Sequence, residues 1–152
     1  MAYQLSQRSL DRLKGVDERL VKVVKRAIQL SNIDFMVLEG VRSKEQCMIN
    51  YGKGRTVAQC AAKGVPAKYA NPSAAKVTWL NNPFASKHVS GKAVDLVPYP
   101  VDWNDLKKFD AIAKAMLQAA KELGVPVRWG ADWDGDGKPR ERGESDSPHF
   151  EI

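Results

Sequence analysis

Ser86-Lys87-His88-Val89-Ser90-Gly91-Lys92-Ala93-Val94-Asp95 is the stretch on which the reading of this chain turns. The protein has two histidines, and the second, His149, stands in the terminal run Asp146-Ser147-Pro148-His149-Phe150-Glu151-Ile152. A neutral imidazole is the commonest protein ligand for a transition metal. Two imidazoles and one carboxylate, with a fourth position left for water, make up a catalytic zinc site. His88, Asp95 and His149 are therefore the candidate ligand set. Taken singly, each has a plainer explanation: an isolated histidine is usually a hydrogen-bonded or surface residue, and an aspartate in a strand marks its end or edge. Their joint presence favours the metal.

The local pattern agrees. Lys92 to Val97 is short, partly β-branched and followed by Pro98, so it reads as a strand. Alternation puts Ala93 and Asp95 on one face and Val94 and Leu96 on the other, toward a core. Gly91 permits the turn that brings His88 back toward Asp95. The tail repeats the alternation, with His149 and Glu151 on one face and Phe150 and Ile152 on the other.

Ser86-x-His88-x-x-Gly91-x-Ala93-x-Asp95 resembles the S-x-H-x-x-G-x-A-x-D signature of the zinc D-Ala-D-Ala carboxypeptidase and dipeptidase family. Asp146-x-x-His149 resembles that family's second motif, an acidic residue three before the last zinc ligand. The layout, from about Asp34 to Ile152, is most similar to the L-alanyl-D-glutamate peptidase branch, which includes many bacteriophage endolysins. The resemblance implies zinc on His88, Asp95 and His149. It also implies Asp146 as general base and then acid, with Glu144 and Glu151 as rival bases. The implied substrate is the peptidoglycan stem peptide, cut at the L-alanyl-D-glutamate bond, with D-Ala-D-Ala carboxypeptidase activity as the alternative. The implied fold has helices packed on a small, mainly antiparallel sheet, as in hedgehog-like peptidases.

The 152 residues suit one domain, an N-terminal helical segment 1–31 followed by a catalytic core 34–152. Such a chain buries about 68–70% of its unfolded surface, enough for a core without staples. The net charge of +6 favours anionic partners such as nucleic acid, acidic membrane or cell-wall polymer. Cys47 and Cys60 have no C-x-x-C spacing and read as reduced thiols. Met1 to Leu5 shows no signal-peptide pattern, and no apolar run is long enough to span a membrane. The expectation is a monomer made in the host cytoplasm that reaches the wall after release.

In chain order, Ser6 or Ser9 caps a short helix ending near Gly15, and Asp17 starts a second helix to Leu30. Leu20, Val23, Val24, Ala27 and Ile28 form its apolar stripe, with Lys22, Lys25 and Arg26 off it. Asp34 to Leu38 reads as a strand. Ser43 then caps a helix, with Gln46 at the capping-box position and Cys47, Met48 and Tyr51 facing inward. Arg42 falls at that boundary. Its residue type alone suggests a surface ion pair of small worth, whereas the resemblance implies contact with the substrate near the scissile bond. Gly52 to Pro83 reads as an irregular cleft wall with a turn of helix at Thr56–Lys63. Trp79 is either part of the groove or buried. Asn104 to Leu123 is a helix with Leu106, Phe109, Ile112, Ala113, Met116, Leu117 and Ala120 inward, closed by Gly124. Val125 to Gly130 reads as a strand. The mixture predicts an α+β fold without internal repeats.

Asp132-Trp133-Asp134-Gly135-Asp136-Gly137 matches the start of a calcium loop. The bidentate glutamate belongs five places after the Gly, but Gly143 stands there and Glu144 comes one place late. The spacing therefore favours a polar turn, with calcium on Asp132, Asp134 and Asp136 as the competing reading. Two other classes compete for the whole chain. A nucleic-acid-binding domain with a structural metal lacks a fourth Cys or His ligand and a stacking platform. A cysteine peptidase would need Cys47 or Cys60 exposed at a helix start with a lowered pKa, and Cys47 falls in mid-helix.

Overall fold

Alternating and helical hydrophobic patterns both resolve into regular elements in the computed structural model, which describes residues 3–78, 82, 84, 87–141 and 144–152. Two sequence expectations, on Trp79 and Ser86, lie outside the described residues. The chain divides into two compact units: Met1–Val41 with Ser90–Ile152, and Arg42–Val89.

The first unit carries α1 (Gln7–Arg12), α2 (Glu18–Leu30), β1 (Phe35–Glu39), β2 (Ala93–Pro98), α5 (Leu106–Leu123), β3 (Arg128–Trp129) and β4 (His149–Glu151). The second carries α3 (Lys44–Gly52), α4 (Val57–Ala61) and a 3₁₀ turn at Ala67–Tyr69. The sheet runs in the order β1-β2-β4-β3 and is antiparallel throughout. Helices with a small antiparallel sheet make this the expected α+β fold.

The caps follow the sequence closely. The Ser6 and Asp17 side chains accept the N–H groups of Ser9 and Arg19 and start α1 and α2. Ser9 is no cap: it is buried, and its hydroxyl accepts the Val37 N–H of β1 at 3.0 Å. The stripe of α2 is fully inside, with Leu20, Val23, Val24, Ala27 and Ile28 all buried. It packs on α5 and on the core face of the sheet, where Val94, Leu96 and Phe150 join one hydrophobic cluster.

Two expectations about α5 and β3 are corrected. Leu106 and Leu117 are exposed, and Ala115 and Ala119 are buried in their place. The apolar arc is thus centred on Ile112, Met116 and Ala119 rather than spread toward Leu117. The strand expected from Val125 to Gly130 is only Arg128–Trp129; Pro126 has no N–H for a ladder.

The second unit has its own small core of Tyr51, Cys60 and Val65. Thr56 and Gln59 form a complete capping box on α4. At α3 Ser43 accepts the Gln46 N–H, but the Gln46 amide donates to Asn50 instead of reaching back. Arg55 donates to the Tyr51 carbonyl at 2.8 Å and lies over the Tyr51 ring. Cys47 and Cys60 are buried and form no disulfide, an inert setting for a nucleophile.

Candidate metal centre and active site

The site is assembled on β2 and β4, which sit side by side at the middle of the sheet. In their register Asp95 faces His149, Val94 faces Phe150 and Ala93 faces Glu151. Val94 and Phe150 enter the core, so Asp95, His149 and Glu151 share the opposite face. The apolar half of each strand thereby fixes the polar half. A one-residue slip would put two carboxylates and an imidazole into the core, which burial forbids.

The turn before β4 is pinned from several sides. The Asp146 N–H donates to the Gly130 carbonyl at 3.1 Å, and the Gly130 N–H donates to the His149 carbonyl at 2.8 Å. Trp129 donates its indole N–H to the Ser147 carbonyl at 2.7 Å, and Leu96 N–H donates to the Pro148 carbonyl at 2.9 Å. Gly130 is a functional position the sequence reading missed. A Cβ there would lie 2.3 Å from the Asp146 carbonyl oxygen and 3.0 Å from His149 Cβ. Only glycine lets β3 approach Asp146 and His149 this closely.

Both ring nitrogens of His149 are engaged. Nδ1 lies 3.2 Å from an Asp95 oxygen and 3.9 Å from an Asp146 oxygen, while Nε2 lies 2.9 Å from Glu151 Oε1. Trp133 stands against the ring, 5.6 Å between centroids. Burial opposes charging His149, but the hydrogen bonds to Asp95 and Glu151 outweigh it and hold the pKa above the ordinary value. The four side chains differ in access: His149, Glu151 and Asp95 are 11%, 12% and 17% exposed, and Asp146 is 55% exposed.

His88 belongs to the other unit, one residue before its end. It is buried, and its carbonyl accepts the Arg42 N–H at 3.0 Å. That bond closes the two ends of the segment on one another. Gly91, with φ +74°, makes the turn into β2, and its carbonyl accepts the Asp17 N–H. Within the first unit, Asp95 and His149 offer a carboxylate oxygen and a ring nitrogen 3.2 Å apart. A ring nitrogen beside a carboxylate oxygen, on residues this little exposed, suits a borderline-soft divalent ion such as zinc. Of the rival bases, Glu144 is directed to the Asp134 N–H, and Glu151 is held on Nε2. Asp146 alone of the three is open to solvent and near Nδ1.

The chain matches the family described as phage L-alanyl-D-glutamate peptidase over residues 1–74 and 65–152. The chain belongs to this family. It is 34% identical to the L-alanyl-D-glutamate peptidase of Escherichia phage T5, covering 100% of this chain and 99% of that one. It also resembles the crystal structure of the Serratia marcescens L-Ala D-Glu endopeptidase ChiX, at 27% identity and a TM-score of 0.66. That match covers 100% of this chain and 91% of the other. The phage L-alanyl-D-glutamate peptidase assignment makes the protein a peptidase and agrees with the α+β architecture. Within this family member, Asp95, His149, Asp146 and Glu151 form one cluster on the sheet face.

Proposed function

We propose that this peptidase hydrolyses the L-alanyl-D-glutamate bond of the peptidoglycan stem peptide, using zinc held by His88, Asp95 and His149. The observation that carries the reading is the pairing of Asp95 with His149, 3.2 Å apart across β2 and β4, on residues of the two motifs. Family membership favours this bond over the terminal D-Ala-D-Ala bond. Zinc, when bound, supplies a Lewis acid that brings the ionisation of water toward neutral pH and polarises the scissile carbonyl.

The chain's own residues do the rest. Asp146, solvent-open and close to His149 Nδ1, accepts a proton from the attacking water. It returns that proton to the leaving amine nitrogen as the C–N bond breaks, so one carboxylate serves as base and then acid. Arg42 donates to the carbonyl oxygen as negative charge grows on it. Glu151 accepts from His149 Nε2, which fixes the ring and leaves Nδ1 as the ligand atom, the usual support for a metal-bound histidine. The net positive charge draws the enzyme to an acidic wall polymer.

The biological role that follows is that of an endolysin: a monomer made in the host cytoplasm and acting on the wall after release. Among the described residues no helix is long and apolar enough to cross a membrane. Basic charge alone would also suit a nucleic-acid partner, but a binding domain has no use for a solvent-open carboxylate beside a ligand triad.

Chelation tests the metal-dependent class directly. Treatment with 1,10-phenanthroline is expected to abolish muropeptide cleavage, and added zinc to restore it. Iodoacetamide is expected to leave the rate unchanged, since Cys47 and Cys60 are buried. Inhibition by iodoacetamide with indifference to the chelator would return the cysteine-peptidase reading.

A further inference from the structure

β3 is two residues long, and its side chains leave on opposite faces of the sheet. Trp129 goes inward: it is buried and lies nearly parallel to Phe150, with 6.4 Å between ring centroids. Arg128 therefore stands on the other face, the one that carries Asp95, His149 and Glu151. In the ladder it is directly opposite Glu151, which places their Cα atoms about 4.5–5.5 Å apart. Glu151 in turn holds His149 Nε2 at 2.9 Å.

The guanidinium is held in place without being neutralised. Its Cζ lies 5.0 Å from the centre of the Trp133 ring, and the same half-buried indole stands 5.6 Å from the His149 ring. One aromatic side chain thus touches both the imidazole and the guanidinium. Contact over a ring uses none of the five N–H donors of an arginine. Among the described residues no hydrogen bond or ion pair takes those donors. Asp132 and Asp134 line the same hollow as Arg128 and Trp133, yet neither is its partner. Arg26 and Arg140, by contrast, are paired with Glu122 at 2.7 Å and with Asp110 at 2.9 Å. Stacking for packing alone could occur on any surface; here it fixes an unneutralised cation beside the imidazole.

We propose that Arg128 is a specificity-determining residue that binds the free carboxylate of the glutamyl residue on the leaving side of the scissile bond. The inference rests on the proposed cleavage between L-alanine and D-glutamate. A glutamyl residue within a peptide has two carboxyls. Whichever of them carries the chain onward, the other stays outside the backbone as an anion, a few bonds from the scissile nitrogen. The substrate therefore brings a negative charge close to the reacting amide. A planar guanidinium meets a carboxylate through two parallel N–H···O bonds, and contact with Trp133 restricts the long side chain before the substrate arrives. Trp133 is accordingly a positioning residue for Arg128.

The test uses two synthetic muramoyl-L-alanyl-D-glutamyl peptides that differ only in the free glutamyl carboxylate, left as the acid in one and converted to the carboxamide in the other. Release of muramoyl-L-alanine from each gives kcat and KM. Zinc-loaded wild type is expected to favour the acid by about tenfold in kcat/KM, the low end for hydrogen bonds to a charged group, since Arg128 is exposed. The preference should lie in KM, because the carboxylate is bound alike before and in the transition state. Arg128→Gln is expected to bring the acid-to-amide ratio close to one, and Arg128→Lys to restore part of it. Trp133→Leu is expected to lower the ratio as well. Equal use of the two peptides by wild type overturns the proposal. So does a ratio that survives in Arg128→Gln, or a fall in kcat on both peptides with the ratio intact, which is what a merely structural role produces. Failure of wild type to cut either peptide between alanine and glutamate overturns the bond assignment, and this proposal with it.

Discussion

His149→Ala is expected to abolish both zinc binding and peptidase activity. The substitution removes one of two imidazole ligands and leaves Asp95 and Glu151, 17% and 12% exposed, without the ring that each contacts. Each lost hydrogen bond to a charged group costs about 1.5–3 kcal/mol, so the melting temperature is expected to fall as well. Metal analysis of the purified variant should show well under one zinc per chain. Glu151→Ala is the informative companion. It keeps all three ligands but releases Nε2, and should weaken zinc about 10–100-fold, with Glu151→Gln partly restoring it through the amide oxygen. Stoichiometric zinc in His149→Ala would remove that residue from the ligand set.

Asp146→Asn separates proton transfer from metal binding. Its backbone, held through Gly130 and His149, is untouched, and its side chain is more than half exposed. Zinc content and melting temperature should therefore stay near wild type. The rate should drop by about 10²–10⁴, the usual share of acid–base catalysis. The loss should appear in turnover rather than affinity, because the proton moves only on the way to the transition state. Glu144→Gln should be milder, since that side chain is turned toward the loop carboxylates. A near-normal Asp146→Asn together with an inactive Glu151→Gln would assign the base to Glu151.

Much of this site was legible because strands impose a period of two. Val94 and Leu96 inward require Asp95 outward, and Phe150 inward requires His149 and Glu151 outward; neither inference needs the tertiary structure. The stripe of α2 was equally plain, as its five apolar positions all find the core. What escaped the sequence depended on contacts between distant segments. Leu106 and Leu117 sit at apolar spacing on α5, yet small Ala115 and Ala119 take the buried arc where α5 meets α2. Gly130 looked like a strand end, and its need for a missing side chain appears only once Asp146 and His149 stand beside it. Glu151 and Glu144 both read as rival bases, because sequence shows a carboxylate but not which nitrogen or N–H it faces. Gly52 to Pro83 looked irregular because helices as short as α4 give too few turns for a periodic signal, although Tyr51, Cys60 and Val65 suffice for a local core.

Digestion of purified muropeptides by the zinc-loaded protein, read by mass spectrometry, tests the central claim most directly. The account predicts that the stem separates between its first and second residues, giving muramoyl-L-alanine and a peptide with D-glutamate at a free amino terminus. Release of the terminal D-alanine with the L-alanyl-D-glutamate bond intact would contradict it.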